Sequence, residues 1–371
     1  MTRAPLSFEA RRDWLRLARA EAVGPVTFDH LIRRFGDPAK ALAALPEMAR
    51  RGGRAVPPRI PSHGDAEREL AAGERLGARM IAACEPDFPP MLAVLDPPPP
   101  LIWTRGAAEI LHRPCVAIVG ARIASAAGQR FARTLAQDLG QAGQVVVSGL
   151  ARGIDGAAHD GALKTGTVAV LGGGIDDIYP PEHADLYERI AERGCIVSES
   201  PVGARAQARD FPRRNRLISG LSAAVVVVEA EMRSGSLITA RLAAEQGREV
   251  LAVPGSPLDP RAKGTNRLLR EGAALVESAD DVLEVLRPLL SGTFREPSQD
   301  MSSWHPSADR DFEANEKLRC IVVELLGAAP VLLDELIRQS GAPASDVLCV
   351  VMELELAGRI HREAGGRICL G

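Results

Sequence analysis

Between residues 115 and 286 the sequence repeats one pattern: a short run of β-branched residues, a glycine or small polar residue, and a segment long enough for an amphipathic helix. The runs cover residues 116–119, 145–147, 168–171, 195–197, 225–228 and 250–253. Strands that alternate with helices form a parallel sheet with helices on both faces. The runs are almost continuously apolar, as the buried strands of such sheets are. The pattern therefore predicts an α/β fold with an extended Rossmann-like, doubly wound, mainly parallel sheet.

Glycine-rich turns follow several of these runs, beginning at Gly120, Gly149 and Gly172. In open parallel sheets, ligands bind at the carboxyl ends of the strands. There the turns lead into helix N-termini, whose free N–H groups attract anions. We therefore expect a phosphate-bearing ligand at this edge of the sheet.

The first turn reads Gly120-Ala121-Arg122, which departs from the dinucleotide pattern G-x-G-x-x-G at its second glycine. A guanidinium at that place can form two hydrogen bonds to phosphate oxygens and suits a polymer backbone better than a buried pyrophosphate. The P-loop pattern G-x-x-x-x-G-K-[ST] is also absent from the sequence. An NAD-dependent dehydrogenase and a P-loop nucleotidase are thus disfavoured, while pairing of Arg122 with a surface carboxylate stays open.

A basic cluster follows between residues 201 and 216, with one acid, Asp210. Its basic residues are Arg205, Arg209, Arg213, Arg214 and Arg216. The whole chain has 45 basic and 48 acidic residues and a net charge of -3, so nucleic-acid binding would have to come from local patches of this kind. Phe211 lies inside the cluster, and an exposed aromatic there can stack on an unpaired base. The alternatives are a solvated charged loop and a Phe211 that packs against the following helix.

Short motifs in this region resemble those of the DprA/Smf family of bacterial DNA-processing proteins. They stand in the family's order and spacing: Gly120-Ala121-Arg122, Ser148-Gly149-Leu150-Ala151-Arg152-Gly153-Ile154-Asp155, Tyr179-Pro180, Phe211-Pro212-Arg213-Arg214-Asn215-Arg216, Ser234-Gly235-Ser236 and Gly264-Thr265-Asn266. The resemblance implies a Rossmann domain that forms a homodimer and binds single-stranded DNA in a basic pocket. It also implies that the protein protects incoming DNA and loads RecA during natural transformation, without catalysis or a cofactor.

The resemblance also implies which residues meet the DNA. They are Gly120 and Arg122 in the first turn; Gly149, Arg152 and Gly153 in the second; Phe211, Arg213, Arg214, Asn215 and Arg216 in the pocket wall; Ser234 and Gly235 at a helix start; and Lys263, Thr265 and Asn266 in a later turn. One departure is Ala208, where the family pattern leads us to expect a lysine.

The flanking sequence divides the chain into further domains. Residues 1–85 predict a small helical domain of the SAM or helix-hairpin-helix kind, in which Ser7 caps the first helix and Val23-Gly24-Pro25 forms a turn. A proline-rich arm continues to about residue 110 and ends in an edge strand at residues 101–103. The Rossmann-like domain then covers residues 111–290, and a polar linker covers 291–313.

Residues 314–371 predict a winged-helix domain, with helices at 315–326, 332–339 and 344–357 before a β-hairpin. The third helix occupies the recognition position but contains acids and no lysine or arginine. The DNA phosphates would repel such a helix. We expect this domain to serve protein contacts or packing, with any DNA contact confined to Arg359, Arg362 and Arg367.

The six cysteines are scattered and form no C-x-x-C pair, which indicates a reduced protein without a disulfide framework or zinc site. The sequence contains no signal peptide pattern and no apolar stretch of 18 residues. These features predict a cytoplasmic protein that does not enter a membrane.

Residues that could act in catalysis also have simpler interpretations. Asp155 and His159 are four residues apart and could share a metal on one helix face, but no third ligand has suitable spacing. An N-cap role for Asp155 and a packed His159 are simpler. Asp176 and Asp177 follow a glycine run, where acids usually cap the next element. The serines lack the G-x-S-x-G pattern of a nucleophile.

The strongest enzymatic alternative is a nucleotide phosphoribohydrolase, which shares the doubly wound layout. Those enzymes resemble one another in a P-G-G-x-G-T-x-x-E loop with a functional glutamate. Here Pro254-Gly255 is separated from Gly264-Thr265 by a longer insert, and Asn266, Arg267 and Leu268 follow, so the carboxylate needed for acid–base chemistry is missing from that place. The sequence therefore favours a binding protein over an enzyme.

Overall fold

The computed structural model describes residues 5–290, 316–327, 329–363 and 366–371. The predicted linker at 291–313 lies outside the described residues. The described residues form two compact units: the first contains Pro5 and residues 68–290, and the second combines Leu6–Glu67 with the described residues from 316 to 371.

Three helices begin the second unit: α1 (Phe8–Ala18), α2 (Pro25–Phe35) and α3 (Pro38–Arg51). Ser7 caps α1 by accepting a hydrogen bond from the N–H of Ala10, as its position predicted. Gly24 precedes Pro25, whose fixed φ suits the first turn of α2. Trp14 and Phe28 meet edge-to-face, with ring centroids 5.0 Å apart, and form part of the core between α1 and α2.

The first unit is organised around a sheet that has nine strands within the described residues. The strands are β1 (Ala78–Ala82), β2 (Leu101–Gly106), β3 (Cys115–Val119), β4 (Val145–Ser148), β5 (Thr167–Val170), β6 (Cys195–Ser198), β7 (Ala224–Val227), β8 (Glu249–Ala252) and β9 (Ala274–Leu275). Their order is β1-β2-β6-β5-β4-β3-β7-β8-β9. Neighbours from β6 to β9 are parallel, whereas β1 and β2 are antiparallel additions at one side. The predicted α/β fold with a mainly parallel sheet is confirmed.

Helices cover both faces of this sheet. They are α4 (His63–Arg75) from Arg68 onward, α5 (Pro90–Ala93), α6 (Ala126–Gln141), α7 (Ile154–Ala162), α8 (Ala184–Arg193), α9 (Asp210–Leu221), α10 (Gly235–Glu245), α11 (Lys263–Arg270) and α12 (Ala279–Leu290). Alternate residues of β3 enter different cores because side chains alternate along a strand. Cys115, Ala117 and Val119 pack with α9 and α10, whereas Val116 and Ile118 pack with α6, α7 and α12.

The prediction that residues 101–103 form an edge strand is wrong. β1 pairs along the outside of β2, from Ala78 opposite Arg105 to Ala82 opposite Leu101. Trp103 is only 1% exposed. The prolines at 97–100 precede the strand and therefore remove none of its ladder hydrogen bonds.

The second unit is completed by α13 (Glu316–Leu325), β10 (Val331–Leu332), α14 (Leu333–Ser340), α15 (Ala344–Leu356), β11 (Ile360–Glu363) and β12 (Arg367–Leu370). The strand order is β10-β12-β11, with antiparallel pairing. Three helices and a hairpin in this order form a winged helix, which confirms the predicted fold of this segment.

α15, the helix in the recognition position, packs against α3 inside the second unit. Thr27 donates a hydrogen bond to Glu355 (3.0 Å), and Arg54 donates one to the carbonyl of Leu356 (3.2 Å). Glu353 is only 1% exposed and pairs with Arg319 at 2.8 Å. The helix that would enter a DNA groove in a duplex-binding winged helix is thus covered by the N-terminal helices.

Candidate nucleic-acid interface

An open depression lies at the carboxyl edge of the sheet, where the turns after β3, β4 and β5 meet the start of α9. Among the residues that line it are Arg122, Gly149, Arg152, Tyr179, Phe211 and Arg214. Five of these were predicted DNA-binding residues. The structure therefore brings together residues that are separated in sequence by up to about 90 positions.

The turn between β4 and α7 depends on a glycine at its end. Gly153 has φ +75°, and a Cβ there would lie 2.3 Å from the carbonyl oxygen of Ala121. This close backbone approach holds the second turn against the first. Asp155 closes the turn because its carboxylate accepts hydrogen bonds from the N–H groups of Gly149 (3.1 Å) and Ala151 (3.3 Å). Burial raises the pKa of the Asp155 carboxyl.

Arg214 forms the floor of the depression and is only 7% exposed. Its guanidinium donates to the carbonyl oxygen of Gly149 at 2.6 Å and to that of Val170. Burial lowers the pKa of Arg214 to about 10, so the guanidinium remains charged at neutral pH. Arg214 thus connects the carboxyl ends of β4 and β5, and its positive charge lies at the floor of the depression.

Phe211 lies in the first turn of α9, and its ring is close to Gly172 and to two arginine side chains. A Cβ on Gly172 would lie 3.4 Å from its ring. The guanidinium carbons of Arg122 and Arg214 lie 5.4 Å and 6.0 Å from the ring centroid, within cation–π range. Phe211 is half-buried rather than fully exposed.

Tyr179 is an aromatic residue of the depression that was not among the predicted binding residues, although it stood in the Tyr179-Pro180 motif. Its ring lies 5.5 Å from that of Phe211, with an interplanar angle of 49°. Tyr179 is 48% exposed. The sequence alone gives only a weak indication of Tyr179, namely that the chain contains just two tyrosines. The other tyrosine, Tyr187, is buried.

The arginines around the depression fall into two groups. Arg122, Arg209 and Arg213 are exposed and form no ion pair within the described residues. Others are paired with acids: Arg152 with Glu182, Arg205 with Asp177, and Arg216 with Glu199. The hydrogen bond from Arg152 lowers the pKa of Glu182 to about 2. Only part of the predicted positive charge is therefore free.

Three further predicted residues, Gly120, Asn215 and Ser234, do not line the depression. Gly120 packs against Ile154 so closely that a Cβ would lie 2.6 Å from that side chain. Asn215 is nearly buried and donates to the carbonyl of Gly235, which connects α9 to the start of α10 (3.3 Å). Ser234 caps α10 by accepting from Ser236.

The turn after β8 is not part of the depression. Lys263 is exposed, but Thr265 is fully buried and donates to the carbonyl of Ala262. Asn266 bonds to both backbone groups of Gly255. Thr265 instead lines a separate open cavity of about 640 Å³ beside α6. Lys263, Thr265 and Asn266 are thus not among the residues that line the depression with Arg122 and Phe211.

The N-terminus of α6, where a dinucleotide pyrophosphate binds in many Rossmann folds, holds a carboxylate of the chain itself. Glu229 accepts from the N–H of Ser125 at 2.9 Å and from its hydroxyl at 2.5 Å. A Cβ on Gly128 would lie 2.6 Å from the same carboxylate. A pyrophosphate would have to displace this group, which provides a further reason against dinucleotide binding.

The residues considered for catalysis have structural partners. His159 bonds through Nδ1 to the hydroxyl of Thr167 (2.8 Å), and burial lowers its pKa to about 3. Asp176 accepts from the N–H of Gly203, and Asp177 from that of Ala206, so both acids hold the loop before α9. Among the residues that the structure describes, no group of three or more His, Cys, Asp or Glu is arranged to hold a metal.

The sequence predicts no membrane segment. In the described part of the chain, no helix is both long enough and apolar enough to cross a bilayer.

Comparison with known proteins gives matches along most of the chain. Family models match residues 9–72 as a DprA-like N-terminal HHH domain, 79–287 as DNA recombination-mediator protein A, and 306–366 as a DprA winged helix domain. The chain is 38% identical to Protein Smf of Escherichia coli over 310 residues, which covers 82% of this chain and 80% of the relative. It is 40% identical to DNA processing protein DprA of Bacillus subtilis over 222 residues, covering 59% and 75% of the two chains.

Solved structures give the same result. The X-ray structure of DNA processing protein A from Streptococcus pneumoniae superposes with a TM-score of 0.62 at 30% identity, covering 73% of this chain and 95% of that one. The protein from Helicobacter pylori, described as having a unique single-stranded DNA binding mode, gives a TM-score of 0.52 at 30% identity, with 57% and 96% covered. The chain belongs to the DprA/Smf family.

Proposed function

We propose that this protein binds single-stranded DNA at the carboxyl edge of its sheet, protects incoming DNA, and delivers it to RecA during natural transformation or related DNA processing. The observation that carries the proposal is the open depression in which exposed Arg122 lies beside two aromatic rings, Phe211 and Tyr179. Positive charge beside aromatic rings is the combination that binds unpaired nucleotides.

The three unpaired arginines give this edge its affinity for phosphates. Arg122 lies at the depression, and Arg209 and Arg213 lie at the start of α9. Each phosphate that is bound releases condensed counterions from the strand, so binding weakens as salt rises. Bases can reach the aromatic rings only when they are not paired in a duplex. The proposal therefore includes a preference for single strands over duplex DNA.

The partners in this proposal are RecA and a second copy of the chain, bound through the Rossmann-like domain. Support for RecA comes from the family model over residues 79–287, whose description is that of a recombination mediator. In this proposal the protein acts in the cytoplasm, needs no cofactor and breaks no bond. A nucleotide phosphoribohydrolase activity would appear as free base released from nucleoside monophosphates, and that release would overturn the non-enzymatic part.

Fluorescence anisotropy with labelled oligonucleotides tests the binding. We expect single strands to bind more tightly than duplex, and Arg122→Ala to weaken binding and reduce the salt slope by about 0.7 for each phosphate that the variant no longer binds. Arg193→Ala is a matched control, because Arg193 is an exposed arginine at the end of α8, at the amino edge of the sheet. Equal binding of single strands and duplex, or equal effects of the two substitutions, would refute the proposal.

A further inference from the structure

We infer that Tyr179 is the surface on which an unpaired base stacks, and that Phe211 is its support. This inference rests on the proposed function and adds to it the residue that meets the base. The two rings are adjacent, 5.5 Å between centroids, but they differ in how much of each ring is accessible.

Phe211 is already occupied by neighbours. Gly172 packs against its ring, and the guanidinium of Arg122 lies over the ring at 5.4 Å. A base that stacked on Phe211 would have to move Arg122 away and break the cation–π interaction. Tyr179 is 48% exposed and lies beside this cluster, so a base can stack on it without displacing the arginine.

The segment that carries Tyr179 is held in place on its C-terminal side. Glu182 pairs with Arg152, and His183 bonds through Nδ1 to the carbonyl of Leu150 at 2.9 Å. Arg152 and Leu150 both belong to the turn between β4 and α7. The chain that follows Tyr179 is therefore attached to this turn, and restricting a segment before binding reduces the conformational entropy lost on binding.

The position of Tyr179 indicates how a nucleotide would bind, with its base on the ring and its phosphate near an arginine. Arg122 lines the same depression and forms no ion pair within the described residues, so a nucleotide stacked on Tyr179 has a cation within reach of its phosphates. Every base has a π-face, so stacking of this kind tolerates any sequence. The ligand class is therefore single-stranded DNA of mixed sequence.

The test compares two probes, a 20-nucleotide oligodeoxythymidine and a strand of equal length made of abasic sites. With the first probe, Tyr179→Ala is expected to weaken binding by about 5- to 140-fold, the range that one stacked base contributes. With the abasic probe, wild type and Tyr179→Ala should bind equally, and the salt slope should not change for either probe. Tyr179→Phe retains the ring and is expected to bind within about twofold of wild type.

A thermal melt of Tyr179→Ala shows whether the fold is preserved, and its exposed position predicts an unchanged midpoint. If Tyr179→Ala binds oligodeoxythymidine as tightly as wild type does, the inference is wrong, although the proposed function stands. If it weakens both probes equally, Tyr179 does not act by stacking and the inference is again wrong. If wild type shows no preference for single strands over duplex, the proposed function itself fails.

Discussion

Substitution of Gly52 by alanine is expected to separate α15 from the N-terminal helices of the second unit. Gly52 ends α3 with φ −66°, which any residue adopts, so the change has no backbone cost within the helix. The added Cβ, however, would lie 1.9 Å from the carbonyl oxygen of Glu353 and 2.9 Å from the Cβ of Ala357. These are atoms of the α15 backbone and its C-terminal end, so no flexible side chain can move to relieve the clash.

The size of the effect follows from the interactions between the two helices. Overpacking of this kind costs roughly 1–3 kcal/mol. Thr27 of α2 and Arg54, which follows α3, bond to the end of α15, and the substitution removes neither of these hydrogen bonds. We therefore expect the packing of α3 against α15 to weaken by the overpacking cost of about 1–3 kcal/mol. This corresponds to an increase of roughly 5- to 140-fold in the separated population, at 1.4 kcal/mol per tenfold.

Alkylation of Cys349 under native conditions measures this population. The Cys349 thiol is buried, it lies 2.8 Å from Arg34 of α2, and burial raises its pKa, so it reacts only after local opening. Mass spectrometry should show faster labelling of Cys349 in Gly52→Ala, whereas buried Cys195 in the first unit should react as in wild type.

Gly24→Ala serves as the control, because Gly24 has φ −86° and a Cβ there meets nothing within 4 Å. If Cys349 reacts at the same rate in wild type, Gly24→Ala and Gly52→Ala, then α15 is not held by α3 and the account of the second unit is wrong.

Two further predictions concern the first unit. Glu182→Gln removes the carboxylate charge that pairs with Arg152, while the hydrogen bond from His183 to Leu150 still holds the Tyr179 segment, so we expect a salt slope steeper by about 0.7; an unchanged slope in anisotropy titrations would show that Arg152 does not contact phosphate. His159 has a folded-state pKa of about 3, below its unfolded value near 6.5, so the unfolded chain binds more protons between these values. Stability is therefore expected to fall as pH drops below about 6.5, by roughly 1.4 kcal/mol per unit, and His159→Gln should remove this dependence. Burial raises the pKa of Asp155, so this residue changes stability with pH in the opposite direction, but it does so equally in wild type and in His159→Gln. The contribution of His159 is therefore the difference between the two proteins in urea unfolding at pH 5 and pH 7.5. An equal pH dependence of stability in both proteins would show that His159 does not cause it.

The sheet was predictable because its central strands carry their own signals. Short runs rich in β-branched residues, most of them followed by glycine or a small polar residue, identified β3 to β8, since buried parallel strands need apolar side chains on both faces. β9 has only two residues, Ala274 and Leu275, which is too short to show a pattern. The position of β2 inside the sheet depends on its pairing with β1, and strand pairing is a tertiary property that local composition does not encode.

The location of the candidate site could be predicted from the sequence, but whether each arginine is exposed, buried or ion-paired could not. Arg213 and Arg214 are adjacent in sequence, yet one is exposed and the other is buried. The phase of α9 explains this difference, because Arg214, Leu217, Ile218 and Leu221 share the buried face at positions i, i+3, i+4 and i+7. The ion pairs of Arg152 and Arg216 join residues 30 and 17 positions apart, so only the folded structure reveals them.

The second unit is assembled from segments that the ribosome makes at widely separated times. Thr27 and its partner Glu355 are 328 residues apart. At about 5–20 residues per second, the early helices wait on the order of 15–65 s for the surface that covers them. During that interval the surface of α3 that packs against α15 has no native partner, and apolar surface exposed in this way makes incomplete chains prone to aggregation.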